Sequence, residues 1–392
     1  MKVVDLFAGC GGLSYGFKLA GFETVLALER DQWASETYQA NHPYVNIITG
    51  DITQISDPQS LVEFPVDGVI GGPPCQGYSL SGNRDPKDPR NSLFMDFIRF
   101  VNDLRADFFV MENVAGILSM KTRDGIYVKD IIFEEFEAAG YSVDVKILNA
   151  ANYGVPQSRN RVFFIGVSKK HPFNSGHIYP KPTHNSTNYV TLGDAISDLP
   201  LIGAGSGDSF QAYESEAQNE YQVIMRDGSD GIYNHVAMRH TQRLIDRFSS
   251  IGFGESVKHA PPEHAQRKRG DASCVSGKAF SQNNMRPYPN RPCPTVPASF
   301  QSNFIHPYLN RNFTAREGAR IQSFPDKYIF KGKRTTMSWE KNLSQYQQIG
   351  NAVPPLLSFA IAKQISWYFD NISKIVPFSA IDTQDRQLTI FE

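Results

Sequence analysis

Three short apolar runs near the N-terminus, each closed by a turn, constrain the fold of this chain more than any other feature. Val3-Val4-Asp5-Leu6-Phe7 leads into the turn Ala8-Gly9-Cys10-Gly11-Gly12 and a helix beginning near Leu13. Thr24 to Leu28 ends in Glu29 and precedes a helix from Asp31 to Ala40, and Val45 to Ile48 ends in Gly50-Asp51-Ile52. Short apolar runs alternating with helices read as strands of a parallel sheet. Phe7, Glu29 and Asp51 would then line one edge, and such sheets bind ligands outside the carboxyl ends of their strands. The glycines let backbone approach a ligand closely and open a helix with free N–H groups. Their positions, 9, 11, 12 and 16, depart from the dinucleotide fingerprint Gly-x-Gly-x-x-Gly. Glu29, about 20 positions further on, is placed to accept hydrogen bonds from ribose hydroxyls. The pattern points to a nucleoside-bearing ligand; taken singly, Glu29 and Asp51 also read as surface carboxylates or helix caps.

A fourth run, Val66 to Ile70, enters Gly71-Gly72-Pro73-Pro74-Cys75-Gln76-Gly77-Tyr78-Ser79. A cysteine on a rigid Pro-Pro platform at a strand end is held in place yet accessible, which suits a thiolate nucleophile. The polar stretch Gly77 to Asn91, with Arg84, Lys87 and Arg90, is too long for a simple connection and is expected to act as a lid. A helix, Ser92 to Leu104, leads to the strand Phe108 to Met111, which ends in Glu112-Asn113-Val114. That places a carboxyl group beside Cys75, a pairing of nucleophile and general acid. After the helix Val128 to Ala138 come two apolar runs, Ser142 to Leu148 and Arg161 to Val167. In the stretch between them, Arg159 and Arg161 occupy alternate positions, so on an extended chain they point the same way and suit gripping a phosphate or a base edge.

From about residue 170 the chain turns rich in Gly, Ser, Asn and Pro. A helix is expected from His235 to Phe248, carrying Arg239, His240, Arg243 and Arg247. Lys258 to Arg269 then gathers Lys258, Arg267, Lys268 and Arg269, and Asn283-Asn284 follows. Lys and Arg hold phosphates while Asn and Arg read purine edges, so this is the candidate nucleic-acid face. The formal net charge is only -1, so such a face must be a local patch. Four widely spaced cysteines, Cys10, Cys75, Cys274 and Cys293, support neither a disulfide framework nor a zinc site. No apolar run suits a membrane span, and no signal peptide, repeat or low-complexity tract is present. Thr314 N-caps a helix with Glu317 in the capping-box position, and Gln348 to Pro355 opens a last helix, Leu356 to Phe369.

Six blocks in this order resemble the DNA (cytosine-5)-methyltransferases of bacterial type II restriction–modification systems: Asp5 to Gly12, Pro73 to Gln76, Glu112 to Val114, Gln157 to Arg161, Arg316 to Arg320 and Gln348 to Val353. The resemblance implies an α/β, Rossmann-like S-adenosylmethionine-dependent methyltransferase domain (1–185 plus 340–392). A smaller, irregular target-recognition domain (186–339) is inserted before the C-terminal helix. It implies a cofactor site formed by Phe7, Ala8, Gly9, Gly11, Gly12, Leu13, Glu29, Arg30, Asp51, Ile52, Pro73, Asn351 and Ala352, with no metal. Cys75 is implied as the nucleophile on C6 of a flipped-out cytosine, Glu112 as its partner at N3 and Arg161 at O2, with Arg159 nearby. Contacts to double-stranded DNA fall to Gln76, Ser79, Ser81, Arg90, Lys258, Arg267, Lys268, Arg269, Asn283, Asn284 and Thr295. A cytoplasmic bacterial monomer acting on the nucleoid is expected, with a cognate restriction endonuclease as genetic partner. The first block starts at Asp5, so no N-terminal chromatin-targeting domain is expected. A tRNA cytosine-5 methyltransferase and a DNA-binding protein without catalysis are the rival readings. Gly318 departs from the alanine or cysteine common in the fifth block.

Overall fold

The computed structural model describes residues 1–63, 65–74, 92–122, 124–268, 271–275, 283–337 and 339–375. Its frame is a seven-stranded mixed sheet of β1 (Lys2–Leu6), β2 (Glu23–Glu29), β3 (Asn46–Thr49), β4 (Gly68–Gly71), β5 (Phe108–Val114), β6 (Tyr141–Asn149) and, beyond the short β7 (Gln157–Ser158), β8 (Asn160–Ser168). The order is β3-β2-β1-β4-β5-β8-β6. The strands β1 to β5 run parallel, so all five end at one edge. Antiparallel β8 then brings its first residues to that same edge, with Arg161 opposite Val114.

The helices α1 (Gly12–Leu19), α2 (Gln32–Asn41), α3 (Ser92–Asp103) and α4 (Val128–Ala138) connect these strands. Successive side chains of a strand leave opposite faces, and β1 shows the consequence. Val3 enters a core with Phe17, Ile70, Phe108 and, from the C-terminal helix, Leu357 and Ile361. Val4 and Leu6 enter the other, with Phe97, Phe100, Phe109 and Phe136. Each such buried side chain stabilises the fold by about 1.5–3 kcal/mol.

The irregular part of the chain holds the short helices α5 (Ser175–Ile178), α6 (Leu192–Ile196) and α7 (Glu220–Arg226). The antiparallel ribbon of β9 (Gly207–Gln211) and β10 (Ile232–Val236) is followed by α8 (Gln242–Ser249) and the pair β11 (Arg267–Lys268) and β12 (Asp271–Val275). The short β13 (Cys293–Pro294) pairs with β7, and α9 (Phe300–Asn303), α10 (Ala315–Ile321), α11 (Gln345–Asn351) and α12 (Pro355–Ile375) complete the described chain. The helix expected from His235 is not there. Asn234 takes φ 61 and His235 lies in β10, bonded to Thr314 Oγ1 and the Pro200 carbonyl at 2.9 Å each, so helix starts only at Gln242. The capping box of Thr314 and Glu317 forms as the sequence indicates. Gly318 is required as glycine, because a Cβ there would lie 2.2 Å from the Phe300 ring.

The helices α1 and α12 meet. A Cβ on Gly16 would stand 2.5 Å from the Pro355 carbonyl oxygen and 2.4 Å from Ser358 Cβ, so only glycine lets α1 and α12 approach this closely. Ser358 Oγ donates to the Leu13 carbonyl at 2.6 Å. This contact carries the segment ahead of α12 to the glycine-rich turn.

Candidate active site

A cavity of about 710 Å³ lies at the edge where β1 to β5 end. Phe7, Ala8, Gly9, Gly12 and Leu13 line it from the first turn, Glu29 and Arg30 from the end of β2, and Asp51 and Ile52 from the end of β3. Pro73, Asn351 and Ala352 line it too. Strand β1 stops at Leu6, one residue earlier than expected; Phe7 has φ 57, a conformation that favours glycine and turns the chain abruptly. Glu29 is fixed from both sides, Oε2 accepting from Gly9 N–H and Oε1 from Asp31 N–H at 2.7 Å each. Burial pushes its pKa up against the pull of those donors. Asp51 accepts from Thr53 N–H at 3.1 Å, which holds its carboxyl below the usual range, with Arg30 3.9 Å away.

Asp5 was not among the expected cofactor residues, yet it lines the cavity. Its Oδ2 accepts from Ser14 Oγ, whereas Oδ1 is buried without a hydrogen-bond partner. Burial pushes its pKa up to about 7. A carboxylate within an apolar strand, flanked by Val4 and Leu6, was the signal in the sequence. Of the expected cofactor residues only Gly11 faces away, against Tyr328, His42 and Tyr38.

The other end of the cavity is built on β4, β5 and β8. Arg161 stands diagonal to Glu112 across the ladder and closes an ion pair, Nε to Oε1 at 2.8 Å. Burial raises the pKa of Glu112, while Arg161 and then Arg159 oppose that shift. Gly72 abuts the same carboxyl, since a Cβ there would lie 3.0 Å from Glu112 Oε2. Asn113 Nδ2 donates to the Pro73 carbonyl at 3.1 Å, fixing the chain as it leaves β4. Arg159, fully buried, sends its fork elsewhere: Nη1 donates to the Val296 carbonyl at 2.8 Å and Nη2 to the Gly350 carbonyl at 2.7 Å. Thr295 lines this end and donates to the Ser158 carbonyl at 2.8 Å.

Cys75, Gln76, Ser79, Ser81, Arg90 and Arg269, and the lid expected from Gly77 to Asn91, lie outside the described residues. Lys258 is exposed on a turn whose Val257 N–H donates to the Asn283 carbonyl at 3.2 Å, so these two expected DNA residues belong to one surface unit. Asn284 takes φ 48 and its Oδ1 accepts from Asn312 Nδ2 at 3.4 Å. Arg267 and Lys268 form β11. Thr295 is separate from that unit and belongs to the cavity.

The cavity suits a nucleoside that carries a cationic group. Its bonded carboxylate Glu29 and its buried, unpartnered Asp5 oxygen supply acceptors for hydroxyls and for a cationic amine. A parallel-sheet edge with these acceptors at one end and a Glu–Arg pair at the other is the arrangement of a nucleoside-binding α/β enzyme. The family model for the C-5 cytosine-specific DNA methylase matches residues 1–367. The type II methyltransferase M.DdeI of Desulfomicrobium norvegicum is 66% identical over 377 residues, covering 96% of this chain and 91% of that protein. The type II methyltransferase M1.HphI of Haemophilus parahaemolyticus is 37% identical, covering 93% and 86%. Among solved structures, a protein from an E. coli prophage described as a DNA modification methyltransferase superposes with TM-score 0.73 at 29% identity, covering 94% of this chain and 99% of that one. The S. pombe Dnmt2 structure shares the fold, with TM-score 0.58 at 15% identity. The chain belongs to the C-5 cytosine-specific DNA methylase family and is a DNA (cytosine-5)-methyltransferase.

Proposed function

We propose that this enzyme methylates a cytosine flipped out of a short duplex sequence, using Cys75 as nucleophile, and so protects host DNA from a cognate restriction endonuclease. The observation that carries the reading is the Glu112–Arg161 pair beside Gly72 and Pro73 at the end of β4, in the sequence block that contains Cys75. The thiolate of Cys75 adds to C6 and forms an S–C6 bond. The displaced electron pair moves toward N3, where Glu112 shares a proton, and C5 becomes nucleophilic. Burial raises the pKa of Glu112 and so favours the protonated form that this step needs. Arg161 sets the orientation of that carboxyl and faces O2 of the base. When bound, S-adenosylmethionine supplies an electrophilic methyl group to C5. Loss of the C5 proton to water or hydroxide then restores the C5–C6 double bond as the S–C6 bond breaks and the thiolate leaves. Flipping the base out costs a few kcal/mol, which contacts from the second domain must offset.

Glu29 and Asp51 would hold the nucleoside, Phe7 and Ile52 would flank its base, and Asp5 would receive the cationic amine. The recognition domain is assigned to 186–339 and the catalytic domain to 1–185 plus 340–392. The basic surface of that domain has an anchor. Arg247 is buried and donates to the Ala265 carbonyl at 3.1 Å, two residues ahead of β11, and burial, then Arg243 and Arg267, disfavour its charge. Clustered arginines of this kind suit a phosphate backbone. The match to the D. norvegicum protein covers 96% of the chain and so includes this domain, which favours a shared DNA target.

The test is bisulfite sequencing of duplex DNA of random sequence treated with the enzyme and S-adenosylmethionine, beside Cys75→Ser. Protection confined to one short motif, absent with the variant, is the expected result. Methyl transfer to tRNA and not to duplex DNA would overturn the reading, as would full activity in Cys75→Ser.

A further inference from the structure

The glycine-rich turn is held from two sides, and only one of them belongs to the cavity. On the cavity side Glu29 accepts from Gly9 N–H. On the far side Tyr328, 1% exposed, donates its hydroxyl hydrogen to the Cys10 carbonyl. His42 Nε2 lies 3.2 Å from the Tyr328 hydroxyl oxygen. Since the phenol has one hydrogen and gives it to Cys10, His42 must donate from Nε2. Gly11, at φ 87, presents its missing side chain to this pair: a Cβ there would lie 2.7 Å from the Tyr328 hydroxyl. The turn therefore rests on the tyrosine.

Tyr328 sits in a strap, Pro325 to Lys331, that two asparagines clamp at successive peptides. Asn41, the last residue of α2, accepts from Ile329 N–H and donates to the Ile329 carbonyl, both at 2.9 Å. Asn234 in β10 does the same for Phe330, at 2.9 and 3.0 Å. Asn234 adopts φ 61 in doing so, a conformation that asparagine tolerates better than most residues. Thr37 Oγ1 accepts from Lys331 N–H at 2.8 Å, and Arg316 of α10 donates to the Pro325 carbonyl at 2.8 Å. A side-chain amide that satisfies both backbone polar groups of one residue acts like a strand neighbour and fixes its register. Two of them in a row leave the strap little freedom.

We propose that Tyr328 is a positioning residue for the cofactor: delivered by a strap pinned to α2 and to β10, its hydroxyl sets the height of the glycine-rich turn against the cavity. Cys10 and Gly12 line that cavity, so a shift of their backbone changes the wall the cofactor meets. The strap also gives β10, which lies in the segment assigned to recognition, a mechanical hold on the cofactor site. The proposal rests on the reading that the cavity takes S-adenosylmethionine.

The experiment is calorimetric binding of S-adenosylhomocysteine to the full chain, with melting curves for each protein. Tyr328→Phe should bind roughly tenfold more weakly, the loss of one buried hydrogen bond at the turn, with little change in KM for DNA. Asn234→Gly, which keeps the left-handed backbone and removes the β10 clamp, should weaken binding in the same direction. Tyr346→Phe is the control, because its hydroxyl is equally buried and donates to the Phe313 carbonyl at 2.9 Å, away from the turn. It should melt lower, as Tyr328→Phe does, yet bind as the wild type. Unchanged binding in Tyr328→Phe, or an equal loss in Tyr346→Phe, overturns the proposal; if Tyr328→Phe does not fold, unchanged binding in Asn234→Gly does so. A wild-type protein that does not bind the ligand refutes the cavity assignment itself.

Discussion

Asp5 gives the sharpest test of how the cavity holds a cationic ligand. Its Oδ1 is buried without a partner, and burial pushes its pKa up to about 7. A carboxylate receives an ammonium group only when ionised, so cofactor binding must draw the proton off Asp5. For a group of pKa about 7, roughly a tenth is ionised near pH 6 and about three quarters near pH 7.5, so apparent affinity should rise about eightfold over that range. The sign follows from the direction of the shift: a raised carboxylate pKa keeps the free site neutral at lower pH, and affinity is lost as pH falls through about 7. The range stops short of about pH 8, where the α-amino group of the ligand itself titrates.

Calorimetry with S-adenosylhomocysteine in two buffers of different ionisation enthalpy measures both the affinity and the protons released. Near pH 7 about half a proton should leave on binding. Asp5→Asn should bind weakly at every pH, with a flat profile and no linked proton. Glu29, whose pKa burial also raises, stays in both proteins and serves as internal control. An affinity that does not change between about pH 6 and about pH 7.5 in the wild type, or the same slope in Asp5→Asn, would refute the reasoning.

Arg161→Ala removes the group that orients the Glu112 carboxyl and faces O2 of the base, so turnover should fall by roughly two orders of magnitude or more even though the Glu112 pKa climbs, measured as labelled methyl transfer at saturating DNA. Thr314→Ala removes the α10 cap and the partner of His235 Nδ1, and should lower stability by about 1–2 kcal/mol in denaturant melts without moving cofactor affinity. Gly12→Ala would place a Cβ 2.4 Å from the Val353 carbonyl oxygen, so it should weaken S-adenosylhomocysteine binding by tenfold or more as the turn is displaced. Arg243→Ala should flatten the salt dependence of DNA affinity by about one phosphate contact, whatever the sequence of the duplex.

The sheet edge was legible because local signals agreed there. The β1 turn, the acid after β2 and the acid after β3 each combine an apolar run with a turn residue at fixed spacing, and all three line one cavity. The capping box at Thr314 was legible for the same reason, being written within four residues. Non-local choices were hidden. His235 continues an acceptable helical pattern, but its imidazole is satisfied by Thr314 and Pro200, residues far away in sequence. Arg159 and Arg161 look equivalent as neighbours on an extended chain, yet one pairs with Glu112 and the other with carbonyls contributed from beyond residue 290. Asp5 could be suspected from its apolar surroundings, but only the structure reveals that one of its oxygens lacks a partner.

The fate of Arg159 explains why the two ends of the cavity belong to one machine. Its guanidinium bonds the Val296 carbonyl, next to the Thr295 that lines the cavity, and the Gly350 and Ala352 carbonyls, which flank the Asn351 that lines it too. Gln157, two residues earlier and also buried, extends the seam: its Oε1 accepts from Val296 N–H at 2.7 Å and its Nε2 donates to Gln322 Oε1 at 2.8 Å. Three segments distant in sequence thus meet on two side chains of the fourth block. A fork of fixed geometry can hold several carbonyls at set separations, which a flexible ammonium cannot. The block identified by its two arginines therefore divides its labour: Arg161 pairs with Glu112 at the cavity, and Arg159 with Gln157 ties together the segments that form its wall.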